Sequence, residues 1–321
     1  EFREQSRGGV GSKGAHTRDE DFTEYIYPAT MHNTLLFFTQ KGRCYWLKCY
    51  EIPEGAKNSK GRAIQNLLNI EADDAINAVL RIKNLNDKEF VDSHYVVFAT
   101  KNGIIKKTCL EAYSRPRANG VNAINILDGD QVVGVRLTNG HNELLLANRN
   151  GRAIRFNEAE LRPMGRVSTG VRGMRLDGGD DEVVGLVCVN DPQTETIMVV
   201  SENGYGKRSD VDDYRKTARG AKGVKTISIT EKTGRLVAIK VVTDENDLMI
   251  INKSGILIRM KVADVRVMGR ATQGVRLINL TKKNDVIASV CKVMTETEEE
   301  PETIVEPDES PNVENTENTE N

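Results

Sequence analysis

The 321-residue chain is poor in aromatics, 5% of residues with a single Trp, and in proline, of which there are eight. Its four histidines (His16, His32, His94, His141) lie far apart and never show H-E-x-x-H or Cys/His spacing, which leaves no metal or nucleophile pattern to build on. The five cysteines (Cys44, Cys49, Cys109, Cys188, Cys291) are odd in number, scattered and never spaced C-x-x-C. That speaks against a disulfide framework or a structural zinc site and for reduced thiols. No apolar run approaches the roughly 18 residues of a membrane span. The first residues are charged and glycine-rich, unlike a signal peptide. These absences predict a soluble, cytoplasmic protein with no membrane partner. Walker-type G-x-x-x-x-G-K-[ST] and G-x-S-x-G are missing too, so no catalytic residue, metal site or small-molecule substrate is expected. Asp180, Asp181 and Glu182 fall in a polar turn and are expected to be solvated, and Trp46 is expected to pack.

The net charge of -2 hides a division of the chain. From Met294 onward there are eleven Asp/Glu and no Lys or Arg. Such a stretch cannot bury enough apolar surface to offset its ordering entropy, so 294–321 reads as a disordered acidic tail. Residues 1–293 then hold 36 acids against 45 bases, a net charge of +9. A basic body suggests a polyanionic partner.

What the chain does contain is a repeat. "TLLFFTQKGRCYWLKCYEI" at 34–52 shares its pattern with segments at 94–113, 143–161, 196–214 and 248–265. In each, two alternating apolar runs flank a turn pair: Lys41-Gly42, Asn102-Gly103, Asn150-Gly151, Asn203-Gly204 and Ser254-Gly255. Asn-Gly in this setting predicts a hairpin with a type I′ turn. A tail follows each head, with the frame G-V-x-x-I/M-x-L/I and then a Val/Ile-rich strand. Its glycines, Gly61, Gly120, Gly170, Gly223 and Gly274, are 59, 50, 53 and 51 residues apart. Two strands from the head and two from the tail make four per unit, the period of a β-propeller-like array and not of two sandwiches. An extra tail at the N-terminus, "QSRGGVGSKG" at 5–14, aligns Gly11 with the other tail glycines. This stretch could otherwise be a leader or a free-standing phosphate loop. The reading is all-β, with six four-stranded blades over 1–293, the first incomplete and its head expected upstream.

Cations recur at fixed places. Four residues before the tail glycine stand Arg7, Lys57, Arg166, Arg219 and Arg270, and before Gly120 Arg115 and Arg117 flank Pro116. Four residues after the turn glycine stand Lys107, Arg155, Arg208 and Arg259, with Trp46 the exception; Lys106, Lys207, Lys222 and Arg276 add to them. Solvated edge charges would serve with either sign. Charge of one sign at one repeat position instead predicts a basic rim, with duplex DNA as the natural ligand for a curved belt. Such a belt reads backbone and deformability and not base edges. In the N-terminal loop, Gly8, Gly9 and Gly11 let backbone N–H groups approach phosphate beside Arg7 and Lys13.

These features resemble the DNA gyrase A C-terminal domain, a six-bladed β-pinwheel, over essentially all of 1–293. The family's marker is a box Q-(R/K)-R-G-G-(R/K)-G. Gln5-Ser6-Arg7-Gly8-Gly9-Val10-Gly11 keeps Gln5, Arg7 and the three glycines but has Ser6 and Val10 in place of two cations. The resemblance implies a non-catalytic domain of an ATP-dependent type II topoisomerase, located in the bacterial cytoplasm at the nucleoid. It would wrap duplex DNA with positive writhe so that the parent enzyme introduces negative supercoils. The implied partners are the breakage-reunion part of the same polypeptide and the ATPase subunit, which use Mg²⁺ and ATP outside this chain; no cofactor is expected within it. The acidic tail would compete with DNA for the rim. A topoisomerase IV-type domain that bends without strong wrapping, or a protein-binding propeller, are the alternatives.

Overall fold

A computed structural model describes residues 4–13, 27, 29–56, 59–280 and 285–294. The chain begins with β1 (Ser12–Lys13), then β2 (Thr34–Thr39), β3 (Arg43–Lys48) and β4 (Ile76–Ile82). One short helix, α1 (Lys88–Ser93), precedes β5 (Tyr95–Thr100), β6 (Ile104–Cys109), β7 (Val121–Asn122) and β8 (Val132–Thr138). The same four-strand pattern returns as β9 (Glu143–Asn148), β10 (Arg152–Asn157), β11 (Val171–Arg172) and β12 (Val183–Val189). It returns again as β13 (Thr196–Ser201), β14 (Tyr205–Asp210), β15 (Val224–Lys225) and β16 (Leu236–Val242). The last are β17 (Asn246–Asn252), β18 (Ile256–Lys261), β19 (Val275–Arg276) and β20 (Ile287–Met294).

The sequence predicts six blades; the described residues form five antiparallel four-stranded sheets. Their strand orders are β4-β2-β3-β7, β8-β5-β6-β11, β12-β9-β10-β15, β16-β13-β14-β19 and β20-β17-β18-β1. Four strands per sheet is right, but their source differs from the expectation. The long tail strand pairs with its own hairpin, whereas the two-residue strand after the tail glycine crosses to the hairpin before it. A hairpin's second strand leaves an edge of unpaired N–H and C=O groups, and this short strand covers its start. The N-terminal tail therefore builds no sheet with its described residues. Its β1 completes the fifth sheet, with Ser12 opposite Leu257 and Lys13 opposite Ile256. Among the described residues no hairpin precedes β2, and the segment after Gly61 correspondingly forms no strand. The rest of the first repeat, 14–26, and the acidic stretch beyond Met294 lie outside the described residues.

The hairpin turns also differ from the type I′ form. In every head the glycine is the fourth residue of the turn, its N–H bonded to the carbonyl three back, as in Gly42 to Thr39 and Gly103 to Thr100, both 3.0 Å. The turn glycines have φ between +78° and +87°. This is the longer hairpin loop in which a left-handed glycine follows the turn. A tail carboxylate holds several of these turns. Asp181, expected in solvent, is buried and accepts from Asn148 Nδ2 (2.9 Å) and the Asn150 N–H (3.2 Å). Asp74 and Asp130 accept from the N–H groups of Lys41 and Asn102 in the same way. Asp180 and Glu182 remain near solvent in ion pairs with Arg235 and with Lys101.

Alternation along each strand gives every sheet two apolar faces, and these pack sheet against sheet. Leu36 and Phe38 meet Val96 and Phe98; Val97 and Ala99 meet Leu144 and Leu146. Leu145 and Ala147 meet Ile197 and Val199; Met198 and Val200 meet Leu248 and Ile250. Trp46 packs on the first of these cores and donates Nε1–H to the Tyr113 carbonyl (2.9 Å). The two end faces carry separate clusters, Leu35, Phe37, Tyr45 and Leu47 on the first sheet and Met249, Ile251 and Leu257 on the fifth. No common core joins these two faces among the described residues. The long strands β4, β8, β12, β16 and β20 lie innermost and touch in succession.

Candidate nucleic-acid interface

The tail loops run along the outer side of the sheets in one repeated geometry. In four of the loops the residue six before the tail glycine donates its N–H to the carbonyl of the head cation in the neighbouring hairpin. The pairs are Met164 to Lys107 (2.8 Å), Thr217 to Arg155 (2.9 Å), Met268 to Arg208 (2.8 Å) and Gln5 to Arg259 (2.8 Å). Successive loops also bond to one another, Asn125 N–H to Ser168, Arg175 to Ala221, Ser228 to Thr272 and Asn279 to Gly9. The N-terminal loop thus sits on the fifth sheet as the loops before Gly170, Gly223 and Gly274 sit on their neighbouring hairpins. Gln5 Oε1 accepts the Gly11 N–H (3.2 Å) and the Gly8 N–H bonds to the Leu277 carbonyl (2.8 Å). Gly11 has φ +82°, and a Cβ there would stand 2.8 Å from the Leu257 carbonyl oxygen. A Cβ on Gly9 would meet Gln5 Oε1 at 2.8 Å. These two glycines serve close packing of loop on sheet, while Gly8 faces open space.

The head cations do not stand on the rim. Arg155 is 4% exposed, bonded through Nε to Glu143 (2.6 Å) and through Nη1 to the carbonyls of Val211 and Tyr214, both 3.0 Å. Arg208 is buried between Thr196 Oγ1 (2.7 Å) and Asp244 (2.5 Å), and Arg259 bonds Asp247 (2.7 Å). Lys107 pairs with buried Glu158 (3.2 Å) and lies over the Tyr95 ring. Lys106 and Lys207, one residue earlier, are fully buried. Lys106 Nζ donates to the carbonyls of Ala123 and Arg166, both 2.7 Å, and Lys207 Nζ to that of Gly269 (2.8 Å). Burial, with the neighbouring Arg166 or Arg270, pulls both lysines down to about 7. A strand residue at this register points into the seam between two blades, so the repeated charge is an internal tie.

The loop arginines divide their guanidinium groups between protein and solvent. Arg166 donates to the Asn122 carbonyl (3.2 Å), Arg219 to that of Arg172 (3.0 Å) and Arg270 to that of Lys225 (2.6 Å). Each acceptor is the second residue of an outer strand, so these half-exposed side chains stitch neighbouring outer strands together. Arg7, Arg115, Arg117 and Arg276 are exposed, with Arg115 at 4.0 Å from Glu111 and Arg276 leaning on the Tyr205 hydroxyl (3.0 Å). Lys222 pairs with Asp177 (2.5 Å) at the surface. Lys13 lies in β1, and Lys57 lies outside the described residues.

Two exposed series escaped the sequence reading. Arg162, Arg215 and Arg266 stand eight residues before their tail glycines, at the mouth of each loop, all exposed. Arg172 and Lys225 stand two residues after theirs, in the outer strands with Arg276, and are exposed as well. The signal was present: L/Y/V-R opens three loops and G-V-(R/K) closes them. The exposed outer edge is thus basic in successive repeats, through these residues together with Arg7, Arg115, Arg117 and Arg276 of those first expected.

The family model described as "DNA gyrase C-terminal domain, beta-propeller" matches six successive segments, 1–29, 33–83, 94–139, 142–190, 195–243 and 246–291. The DNA gyrase A protein of Staphylococcus aureus (strain MRSA252) is 44% identical over 301 residues, 94% of this chain and 33% of that protein. The chain therefore spans about a third of the length of the curated relatives it matches. A solved DNA gyrase A C-terminal domain superposes with a TM-score of 0.80 at 25% identity, covering 91% of this chain and 93% of that one. The C-terminal domain of a DNA topoisomerase IV gives 0.71 at 29% identity, covering 82% and 80%. With the family model matched through all six repeats and the four-stranded blades shared with a solved member, the chain belongs to the DNA gyrase A C-terminal domain family.

Proposed function

We propose that this chain is the DNA-binding, DNA-wrapping part of a gyrase-type topoisomerase, itself without catalytic groups. The observation that carries the reading is the recurrence of exposed cations at the same two places in successive repeats, Arg162, Arg215 and Arg266 at the loop mouths and Arg172, Lys225 and Arg276 on the outer strands. A phosphate backbone presents charge at regular intervals, and a rim with the repeat's own period meets it at each blade. Arg7, Arg115 and Arg117, with the solvent-facing part of Arg166, Arg219 and Arg270, extend that belt. Contacts of this kind position DNA without reading bases. Bending a 20–30 bp site by 40–90° costs on the order of 1–6 kcal/mol, so several phosphate contacts must act together to hold a wrap. The wrapped segment would be handed, as positive writhe, to the breakage-reunion and ATPase parts of the enzyme, where Mg²⁺ and ATP are used.

The test is closure of a nicked DNA circle by ligase in the presence of the chain, followed by measurement of linking number. A shift of linking number toward positive writhe supports wrapping. Retarded DNA with unchanged linking number favours the topoisomerase IV-type mode, in which the domain bends without trapping writhe; the loss of two box cations to Ser6 and Val10 speaks for that second reading. No retardation at low salt would overturn both.

A further inference from the structure

The innermost strands contain an anomaly that the rim does not use. Each is a Val/Ile/Leu-rich run of the kind that packs on both sides. Yet β4, β8, β16 and β20 each place one cation in that run, Arg81, Arg136, Lys240 and Lys292, and β12 has Cys188 near the same place. All five inner strands line one cavity of about 370 Å³, and Arg136, Lys240 and Lys292 face it together with Cys188, Asn190 and Ser289. The volume falls within the range of small-ligand sites.

Among the described residues no carboxylate lies within ion-pair distance of these three cations. Among the described residues, Arg136 Nη1 donates to the carbonyl of its neighbour Val135 (2.7 Å). Glu195 acts on Lys292 from farther away. Burial lowers all three, Lys240 to about 8, and repulsion adds to it at Lys240, from Arg136 and Lys292, and at Lys292, from Arg136 and Arg81. Arg136 and Lys240 are half-buried and Lys292 is exposed at one end of the cavity, and like charges gathered around one space favour an anion between them. Two buried cations between the blades each have a carboxylate partner, Arg155 in Glu143 and Lys107 in Glu158. The axial cluster has none among the described residues, and it sits around a space with hydroxyl and amide groups that suit phosphate oxygens.

We propose that the axial cavity is a binding site for a small oligophosphate anion, held by Arg136, Lys240 and Lys292. The site lies on the inner strands, apart from the outer edge assigned to DNA, and does not depend on that assignment.

Calorimetric titration of the 321-residue chain with sodium tripolyphosphate, at neutral pH and low salt, tests this. The expected result is saturable binding of one anion per chain, weakened at least tenfold by Arg136→Met or Lys240→Met and unchanged by Arg162→Ala/Arg215→Ala. Thermal melting provides the second readout: tripolyphosphate raises the Tm of the wild type and leaves that of Lys240→Met unmoved. Should a buried substitution prevent folding, Lys292→Met, at the exposed end of the cluster, takes its place in both experiments. Absence of saturable binding, or binding that the rim pair abolishes while Arg136→Met and Lys292→Met leave it intact, overturns the proposal.

Discussion

Arg155 marks the limit of what a residue's place in a repeat reveals. Its position four after the turn glycine was plain, but a cation at that register is equally compatible with a rim and a seam. The neighbours decide: Glu143 at 2.6 Å, the carbonyls of Val211 and Tyr214, and Asp212 at 3.3 Å. Breaking one partner of a buried pair costs about 3–5 kcal/mol, because the other charge and the carbonyls lose their compensation. Arg155→Met is therefore expected to lower stability in urea by about 3 kcal/mol, whereas exposed Arg162→Ala should change it by less than about 0.5 kcal/mol. Lys106 and Lys207 yield a second prediction at this scale. Both titrate at about 7 in the folded chain, against 10.5 for an ordinary lysine. Between those values the unfolded chain holds protons that the native chain has released, so stability rises with pH through that window and the cost of burying the charge is complete below it. The gain is at most about 1.4 kcal/mol per pH unit for each lysine. Urea midpoints of wild type and Lys106→Met should diverge in the wild type's favour from pH 7 to 9.5; parallel profiles would show that this ammonium does not titrate there.

At the scale of the element, the outer strands depend on the glycine that precedes them. Gly223 has φ +80°, and a Cβ there would lie 2.5 Å from the Ala153 carbonyl oxygen and 2.7 Å from its carbon, both backbone atoms of β10. The chain passes so close because β15 must pair with β10 immediately afterwards, Val224 opposite Ala153. Gly255 has nearly the same φ, +78°, but open space around it. Gly255→Ala should cost only the left-handed backbone penalty, about 1–2 kcal/mol. Gly223→Ala adds a clash that only displacement of β15 relieves, and it should cost clearly more. Thermal melts of the two variants make the comparison, and equal losses would mean that the close approach is immaterial. Hairpins, tail glycines and long tail strands were all legible from alternation and turn residues. The destination of the two-residue strand was not, because two residues carry no periodicity and their partner lies about 70 residues away.

For the whole molecule, closure is a matter of which edges and faces remain. The N-terminal loop covers the edge of β18 with the same bonds that the later loops make on their hairpins. Deleting residues 1–13 should speed hydrogen exchange at the β18 amides facing β1 and leave β6 protected by β11; protection unchanged at β18 would mean that the latch contributes nothing. The rim supplies the other molecular prediction. Each phosphate contact releases counterions worth about 0.9 in the slope of log affinity against log salt. A triple variant Arg162→Ala, Arg215→Ala, Arg266→Ala should therefore flatten that slope for duplex DNA by about 2.7 if all three side chains meet phosphates. A slope identical to wild type would place the DNA elsewhere on the molecule.

The amino-acid sequence by itself determined the repeat, the all-β class and the hairpins, because alternation, turn glycines and a period near 50 residues are local properties of the chain. It also carried the charge division between a basic body and the acidic stretch from 294 on. Only the tertiary structure decided that the described residues close five sheets and that β1 belongs to the last of them, since strand partnership depends on which edge lies nearby. It likewise decided the meaning of each cation. Arg155, Arg208, Lys106 and Lys207 turned inward to carboxylates and carbonyls, while Arg162, Arg215, Arg266, Arg172 and Lys225 remained in water. Charge is written in the side chain, but burial is set by the neighbouring blade.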